Sequence, residues 1–387
     1  MKNKISVQIK PTYLEKTEAW LWEYLRNLQE FEPVVICEET KNLDIFPLNN
    51  IVILPKVEFP FKLVSFIARM FLPRNIAIEK SLTTVVKNSK THLIHAHFGP
   101  NGVYALPVAK KLGIPLVTSF YGFDTSILSL AQKMRQYSLP WDQLYWIHAY
   151  RSLWKNGDIF TVTCQKMKED LIRLGAPEEK IKILHLGINL EKYKMAQRKL
   201  TKSPTILIAN RFVPKKGTEY ALRAVAEVLK VFPNVKLKII GDGPLKEELV
   251  NIVLKLGIFR STEFLGILDY GSYMSQMSQA DIFLSPSIKA VGDEEGGINT
   301  TVIEAMAVGA CVFATEESGS ELIYDGKTGF VVSQRDVNEL FTKIVSYIES
   351  PDVWNAVATN ARKHVEAEFD SIKQARKLEE IYKLCIQ

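Results

Sequence analysis

Apolar positions in this chain fall in short β-branched runs, and longer stretches with helical spacing lie between them. "KISVQIK", "PVVIC", "NIVIL", "HLIHAHF", "IPLVTSF", "DIFTVTC" and "IKILHLG" read as strands. The stretches 14–30 and 101–112 between them read as helices. A second series runs "TILIAN", "VKLKII", "EFLG", "DIFLSP", "ACVFAT" and "GFVV". These runs are apolar on both faces, the pattern of parallel strands covered by helices on each side. A charged segment with poor periodicity, roughly 189–203, separates the two series. The expected fold is α/β, with two doubly wound Rossmann-like domains over residues 1–195 and 196–369. Doubly wound sheets bind ligands beyond the carboxyl ends of their strands. The turns "HAHFGPNG", "SFYGFDTS", "NRFVPKKG", "GDGP" and "EEGG" all follow strands. With two facing domains, those edges would line one central cleft.

Several of these turns carry groups suited to a phosphorylated ligand. In "NRFVPKKG", Arg211 and Lys216 sit on a strand-to-helix loop. The fork of an arginine and the point charge of a lysine suit a diphosphate, although a solvated basic loop has the same composition. Gly241 and Gly243 in "GDGP" mark a tight turn with its backbone near a ligand, or a purely structural one. The third glycine of G-x-G-x-x-G is replaced by Lys246. In "EEGGINTTVIEAMAVGA", Gly296 and Gly297 leave backbone N–H groups open just before a helix, where anions are favoured. Asn299 or Thr300 can cap that helix. Glu304 on its first turn can accept from ribose hydroxyls, and Glu295 can face a sugar. Acids placed against a helix dipole need no ligand at all.

Composition narrows the class. The chain has 387 residues, 47% apolar and 24% charged, a soluble globular profile able to fill large cores. Cys37, Cys164, Cys311 and Cys385 are far apart; no spacing suggests zinc or a disulfide framework, which favours a reducing cytoplasmic setting. No secretory leader and no apolar run of about 18 residues is visible, so no bilayer span is expected. Residues 1–200 hold 28 Lys/Arg and 18 Asp/Glu, a balance of +10, and the remainder balances at −4. The basic half could meet an anionic surface, or be only a solvated bias. His95 and His97 share one face of a strand. No third ligand motif accompanies them, so His97 reads as a hydrogen-bonding group at the cleft or as a satisfied core histidine, and no metal site is expected.

Taken together, "NRFVPKKG", "GDGP", "FLG" and "EEGGINTTVIEAMAVGACVFAT…SGSELIYDGKTGFVV" resemble the retaining glycosyltransferases of family 4, which have the GT-B fold. "PTYLEKTEAWLWEYL", "HAHFGPNG" and "SFYGFDTS" resemble the colanic-acid, exopolysaccharide branch of that family. "EAEFDSIKQARKLEEIYK" is similar to its closing helices, which return to the first domain and would complete it with residues from about 370 to 387.

The resemblance implies a donor diphosphate on Arg211, Lys216 and the backbone amides of Ile298, Asn299 and Thr300. It implies a ribose on Glu304, a donor sugar near Glu295, and acceptor-side loops carrying His97 and Asp124. Two departures stand out. The family spaces its two glutamates eight apart, whereas Glu295 and Glu304 are nine apart, with Gly296 in the first acid's place. Tyr121 stands where the family has a histidine, and a phenol cannot carry positive charge near neutral pH.

The expected activity is transfer of a sugar from a nucleotide-diphosphate sugar to an acceptor hydroxyl with retention, in cell-surface polysaccharide or glycolipid synthesis. No cofactor and no metal are expected, since no Asp-x-Asp occurs. The alternatives are a nucleotide-sugar epimerase of the same fold and a catalytically weak sugar-nucleotide-binding scaffold. The expected partners are the nucleotide sugar, a sugar or lipid-linked acceptor and, through "FPFKLVSFIARMFLPRNIAIEK" (59–80), a peripheral membrane surface on the inner leaflet. No nucleic acid is expected.

Overall fold

The computed structural model describes residues 4–54, 76–122, 124, 140–195, 203–290, 297–319 and 321–386. It divides the chain into two units, Met1–Gly187 with Ser371–Gln387, and Ile188–Asp370.

The first unit is built on seven strands: β1 (Lys4–Ile9), β2 (Phe31–Cys37), β3 (Ile51–Ile53), β4 (Leu93–His97), β5 (Leu116–Ser119), β6 (Ile159–Val162) and β7 (Ile181–Ile183). Their order is β3-β2-β1-β4-β5-β6-β7, and every pairing is parallel. Each run read as a strand in this half is one. Parallel neighbours require crossovers, and helices supply them. They include α1 (Ala19–Asn27), α2 (Ile76–Asn88), α3 (Gly99–Leu112), α4 (Pro140–Asn156) and α5 (Gln165–Arg173). Strand order reverses between β1 and β4, which opens the crevice where such sheets take ligands.

The second unit repeats the plan with β8 (Thr205–Ala209), β9 (Lys236–Ile240), β10 (Thr262–Gly266), β11 (Ile282–Ser285), β12 (Cys311–Thr315) and β13 (Phe330–Val332). The order is β10-β9-β8-β11-β12-β13, again all parallel. Its helices are α6 (Thr218–Val231), α7 (Lys246–Lys255), α8 (Tyr270–Gln279), α9 (Thr300–Ala307), the short α10 (Glu316–Gly319), α11 (Val337–Ile348) and α12 (Pro351–Glu368). Two apolar layers sandwich the sheet. One gathers Ile206, Leu237, Phe313 and Trp354, and the other Leu207, Phe283, Met306 and Phe369. Alternate residues of one strand thus serve opposite layers, which is why the runs show no polar face.

The last helix, α13 (Ser371–Ile386), belongs to the first unit although residues 188–370 precede it. Leu378, Ile381 and Tyr382 join the core of α1 and β2. The Glu379 carboxylate is 4% exposed, and its Oε1 accepts the backbone N–H groups of Gln29 (2.7 Å), Glu30 (2.7 Å) and Phe31 (3.2 Å). A single carboxylate therefore satisfies the donors of the turn entering β2.

The structure adds a short parallel pair, Thr12–Tyr13 with Glu39–Thr40, that the hydrophobic pattern does not signal. Cys37, Cys164 and Cys311 are buried free thiols, and Cys385 is half-buried. Among the described residues no helix is long and apolar enough to cross a membrane. Residues 59–75 of the basic apolar segment lie outside the described residues.

Candidate functional site

In the second unit the Arg211 loop is clasped by the "GDGP" turn. Phe212 N–H donates to the Asp242 carbonyl at 2.9 Å, and Leu245 N–H to the Phe212 carbonyl at 3.1 Å. Gly241 (φ +139°) and Gly243 (φ +154°) make this possible, because a Cβ on Gly241 would lie 1.8 Å from the Asn210 carbonyl oxygen. On Gly243 it would lie 2.7 Å from the Phe212 carbonyl oxygen. Only glycine tolerates both the backbone angle and the approach. The two glycines thus hold the loop that carries Arg211. Arg211 itself is exposed, and its guanidinium makes no hydrogen bond or ion pair among the described residues.

Lys216 ends the same loop, and its Nζ donates to Asn299 Oδ1 at 3.1 Å. Asn299 is the N-cap residue of α9, yet its side chain caps nothing. It is turned toward the lysine instead, and its buried Nδ2 has no partner among the described residues. Val302 N–H returns to the Asn299 carbonyl at 3.1 Å. The N–H groups ahead of it, on Thr300 and Thr301, lack the carbonyls an interior turn would supply. Gly297, Ile298, Asn299 and Thr300 are all half-buried, and they lead into this open helix end. Cation, orphaned amide and helix N-terminus converge, a geometry that favours an anion. Glu295 and Gly296 lie outside the described residues.

Glu304 sits one turn into α9. Tyr193 donates its hydroxyl to Oε1 at 2.8 Å, and Tyr273 donates its own to Oε2. Burial raises the Glu304 pKa, and the two phenols oppose that rise. Each carboxylate oxygen keeps a lone pair for a further donor. Arg362 on α12 braces the site by donating to the Tyr193 carbonyl and, at 2.8 Å, to the Ala307 carbonyl. Tyr193, Tyr273 and Arg362 were not legible as site residues. Tyr193 falls in the segment that reads as a linker, yet it is 5% exposed within a core.

The first unit presents a buried polar network at the carboxyl ends of β1, β4 and β5. Gln8 Nε2 donates to Ser6 Oγ (2.9 Å) and Tyr382 Oη (3.2 Å), which turns its Oε1 toward His97 Nε2 at 3.0 Å. His97 Nε2 therefore carries the proton, and Nδ1 accepts from the Tyr121 hydroxyl at 2.8 Å. His95 Nδ1 meets Tyr382 Oη and its Nε2 meets Ser119 Oγ, both at 2.6 Å. All four ring nitrogens are thus occupied by protein groups. Burial pushes His95 down to about 3. Burial, with His95 and Lys10 nearby, holds His97 well below its usual value. Both rings are neutral near pH 7. Gln8, Ser119 and Tyr382 were hidden from sequence reasoning because each lies inside an apolar run or on a distant helix.

Asp124 is 1% exposed. Its Oδ1 accepts from the N–H groups of Tyr121 and Gly122, and its Oδ2 from Gly99 N–H, each at 3.0 Å. It ties the loop after β5 to the start of α3. Tyr121 directs its hydroxyl inward to His97 and packs on Trp20 with ring centroids 4.4 Å apart. Asp124 and Tyr121 are thus bound into the scaffold of this edge.

Burial raises the Asp124 pKa from 3.8 to about 6 against the lowering effect of its backbone donors. A raised acid favours the fold while protonated. Its contribution is full below about pH 4 and is lost as pH climbs through about 6. The stability of wild type relative to Asp124→Asn should therefore fall by about 2–3 kcal/mol between pH 4 and 7. Paired denaturation curves check this, and a flat or rising difference would contradict it.

The two Rossmann-like units have the GT-B fold, and the family models make the chain a glycosyltransferase. The family model "Glycosyltransferase Family 4" matches residues 18–192, and "Glycosyl transferases group 1" matches residues 190–364. The chain belongs to glycosyltransferase family 4. WcaL of Escherichia coli (strain K12), assigned to colanic acid biosynthesis, is 26% identical over 303 residues, 77% of this chain and 71% of its own length. The amylovoran biosynthesis glycosyltransferase AmsK of Erwinia amylovora is 28% identical over 342 residues, 85% of this chain and 80% of its own. Among solved structures, a glycosyltransferase from Rickettsia africae superposes with a TM-score of 0.77 at 20% identity, covering 100% of this chain and 99% of that one. Anabaena HepE, in complex with UDP, gives 0.76 at 18% identity, covering 98% and 100%. Nothing in these likenesses supports the epimerase alternative.

Proposed function

We propose that this enzyme takes a sugar from a nucleoside-diphosphate sugar and transfers it with retention to an acceptor hydroxyl in surface polysaccharide or glycolipid assembly. The observation that carries the reading is the uncapped start of α9, with Asn299 turned to Lys216 and its Nδ2 unpartnered. The donor diphosphate takes that position, with Arg211 as its second cation. Glu304 receives ribose hydroxyls on the lone pairs its two tyrosines leave. HepE structures with UDP and with UDP-glucose support a nucleotide-sugar donor of this kind. So does a relative named as GDP-mannose-dependent, 30% identical over 168 residues.

In this reading the departing diphosphate is stabilised by fixed cations and backbone dipoles, a form of electrostatic catalysis that needs no metal. Glu295, outside the described residues, is assigned to the transferred sugar by the family resemblance alone. His97 borders the acceptor side as a neutral ring whose two nitrogens are held by Gln8 and Tyr121, and Asp124 and Tyr121 position its loops. The expected result is nucleotide release from one of UDP-, GDP- or ADP-sugars, accelerated by acceptor and undiminished by EDTA. Release from none of them would count against the transferase reading. Full loss on chelation, restored by magnesium or manganese, would count against its metal-free form. The basic first half further suggests peripheral binding to anionic lipid at low salt. Equal sedimentation with anionic and neutral vesicles would remove that element.

A further inference from the structure

Lys10 follows β1 directly and faces the point where strand order reverses. It is 6% exposed, which is rare for a lysine. Its Nζ donates to Glu18 Oε1 at 2.7 Å and stands 4.8 Å from the centroid of the Phe98 ring. An ammonium has three N–H groups. The carboxylate takes one and the ring face attracts another. The third has no partner among the described residues.

Phe98 is itself unusual. It has φ +72°, in a region that side chains other than glycine avoid. The strain is held by its N–H on the Ser119 carbonyl at 2.8 Å and by the start of α3, whose Asn101 N–H returns to its own carbonyl at 3.0 Å. Strain of this kind persists where surrounding structure over-determines it, often at ligand sites. Glu18 is fixed too, since its Oε2 accepts the Glu15 N–H at 3.1 Å.

A buried ion pair is weak evidence for a stabilising role, because desolvation offsets the attraction. Placed in the ligand crevice of a doubly wound sheet, it has a second use. We propose that Lys10, Glu18 and Phe98 form the seat of a neutral, hydroxylated sugar ring. Lys10 donates to one ring hydroxyl, Glu18 accepts from its neighbour, and Phe98 offers an aromatic surface to the C–H face. Glu18 cancels the charge of Lys10, so the seat suits a neutral polyol better than an anion. The loop of Arg211 and Lys216 has no such cancellation. The neighbouring His97 and Asp124 do not compete for the ligand, since their polar atoms are already engaged. The inference rests on the glycosyltransferase reading and adds a specific sugar contact to it. The ring has two sources, the sugar being transferred and the terminal sugar of the acceptor.

The test uses the full chain, wild type and the double variant Lys10→Met/Glu18→Leu, which removes both charges together and leaves neither orphaned. Circular dichroism and thermal unfolding confirm that the variant folds. Calorimetric titration then compares UDP with UDP-glucose (or the GDP or ADP pair, if nucleotide release selects it). Saturation-transfer NMR compares neutral methyl hexopyranosides with methyl glucuronide. The expected result is an unchanged affinity for the free nucleotide and a roughly tenfold loss in sugar-dependent affinity. If the loss appears as collapse of the difference between nucleotide and nucleotide sugar, the ring is the transferred one. If it appears with the methyl hexosides, the ring is the acceptor's. The proposal is overturned if both are unchanged in the variant, if wild type shows no sugar-dependent affinity, or if only glucuronide binding is lost. Failure of wild type to bind any nucleotide would instead strike the donor reading, and the glycoside arm would still decide the seat.

Discussion

Lys216→Ala and Arg211→Ala should each lower kcat/KM by about 2–4 kcal/mol, roughly 30- to 1,000-fold. In the proposed reaction charge builds on the diphosphate as its bond to the sugar breaks, so a fixed cation at that position acts mainly on the transition state. The lysine variant should suffer more at kcat. It loses the charge and also frees Asn299, whose Oδ1 it now holds at 3.1 Å. With its side chain released, Asn299 can swing back to cap α9 and fill the helix end proposed for the diphosphate. Lys216→Arg keeps the charge and should recover part of the rate. Steady-state kinetics with the selected donor check all three. Transfer that persists unchanged in either alanine variant would remove the diphosphate from this loop.

That pair of cations was legible in the sequence, and the reason is local. Arg211 and Lys216 stand at a strand-to-helix turn, and such turns announce themselves through an apolar run, a proline and a glycine in order. The thirteen strands of the two large sheets were legible for the same reason. Most are short apolar runs covered on both faces, while the edge strands Ile51–Ile53 and Thr262–Gly266 hold no buried residue. What the sequence hid is what depends on contacts across long separations. Glu304 was visible, but the hydroxyls that hold it come from Tyr193 and Tyr273, 111 and 31 residues away. Gln8 looks like an ordinary polar position in a strand until its amide is seen to orient His97, 89 residues on. Asn299 was readable as a cap by type and place, and the structure uses the place without the capping bond, because Lys216 competes for its oxygen. Gly241 and Gly243 suggested a tight turn, either with backbone near a ligand or purely structural. In the structure the backbone they admit is the chain's own, at Asn210 and Phe212.

Glu379→Ala should destabilise the first unit markedly although it lies away from the site. It leaves three backbone N–H groups, on Gln29, Glu30 and Phe31, without their acceptor in a buried turn. Each orphaned donor costs about 1–3 kcal/mol, and water entering the vacated space recovers some of that. A net loss of about 3 kcal/mol is expected, a fall of roughly 6–12 °C in the unfolding midpoint of a unit this size. Glu379→Gln keeps one oxygen in place and should lose less. Calorimetry on the full chain reads both. A midpoint within a degree of wild type for the alanine variant would show that the turn is held by its other contacts.

The return of α13 to the first unit also separates the order of manufacture from the order of completion. The strands of that unit are all made before residue 188, but Tyr382 and Glu379 emerge only after the whole of Ile188–Asp370. Until then His95 Nδ1 lacks its phenol, Gln8 lacks one of its acceptors, and the turn into β2 lacks its carboxylate. The second unit is contiguous and can close as soon as it leaves the ribosome. A nascent chain halted after residue 187 would therefore carry a sheet whose polar interior is still wet, and it should be readily cleaved by protease. One halted after residue 370 and before α13 should yield a resistant fragment only from its later part.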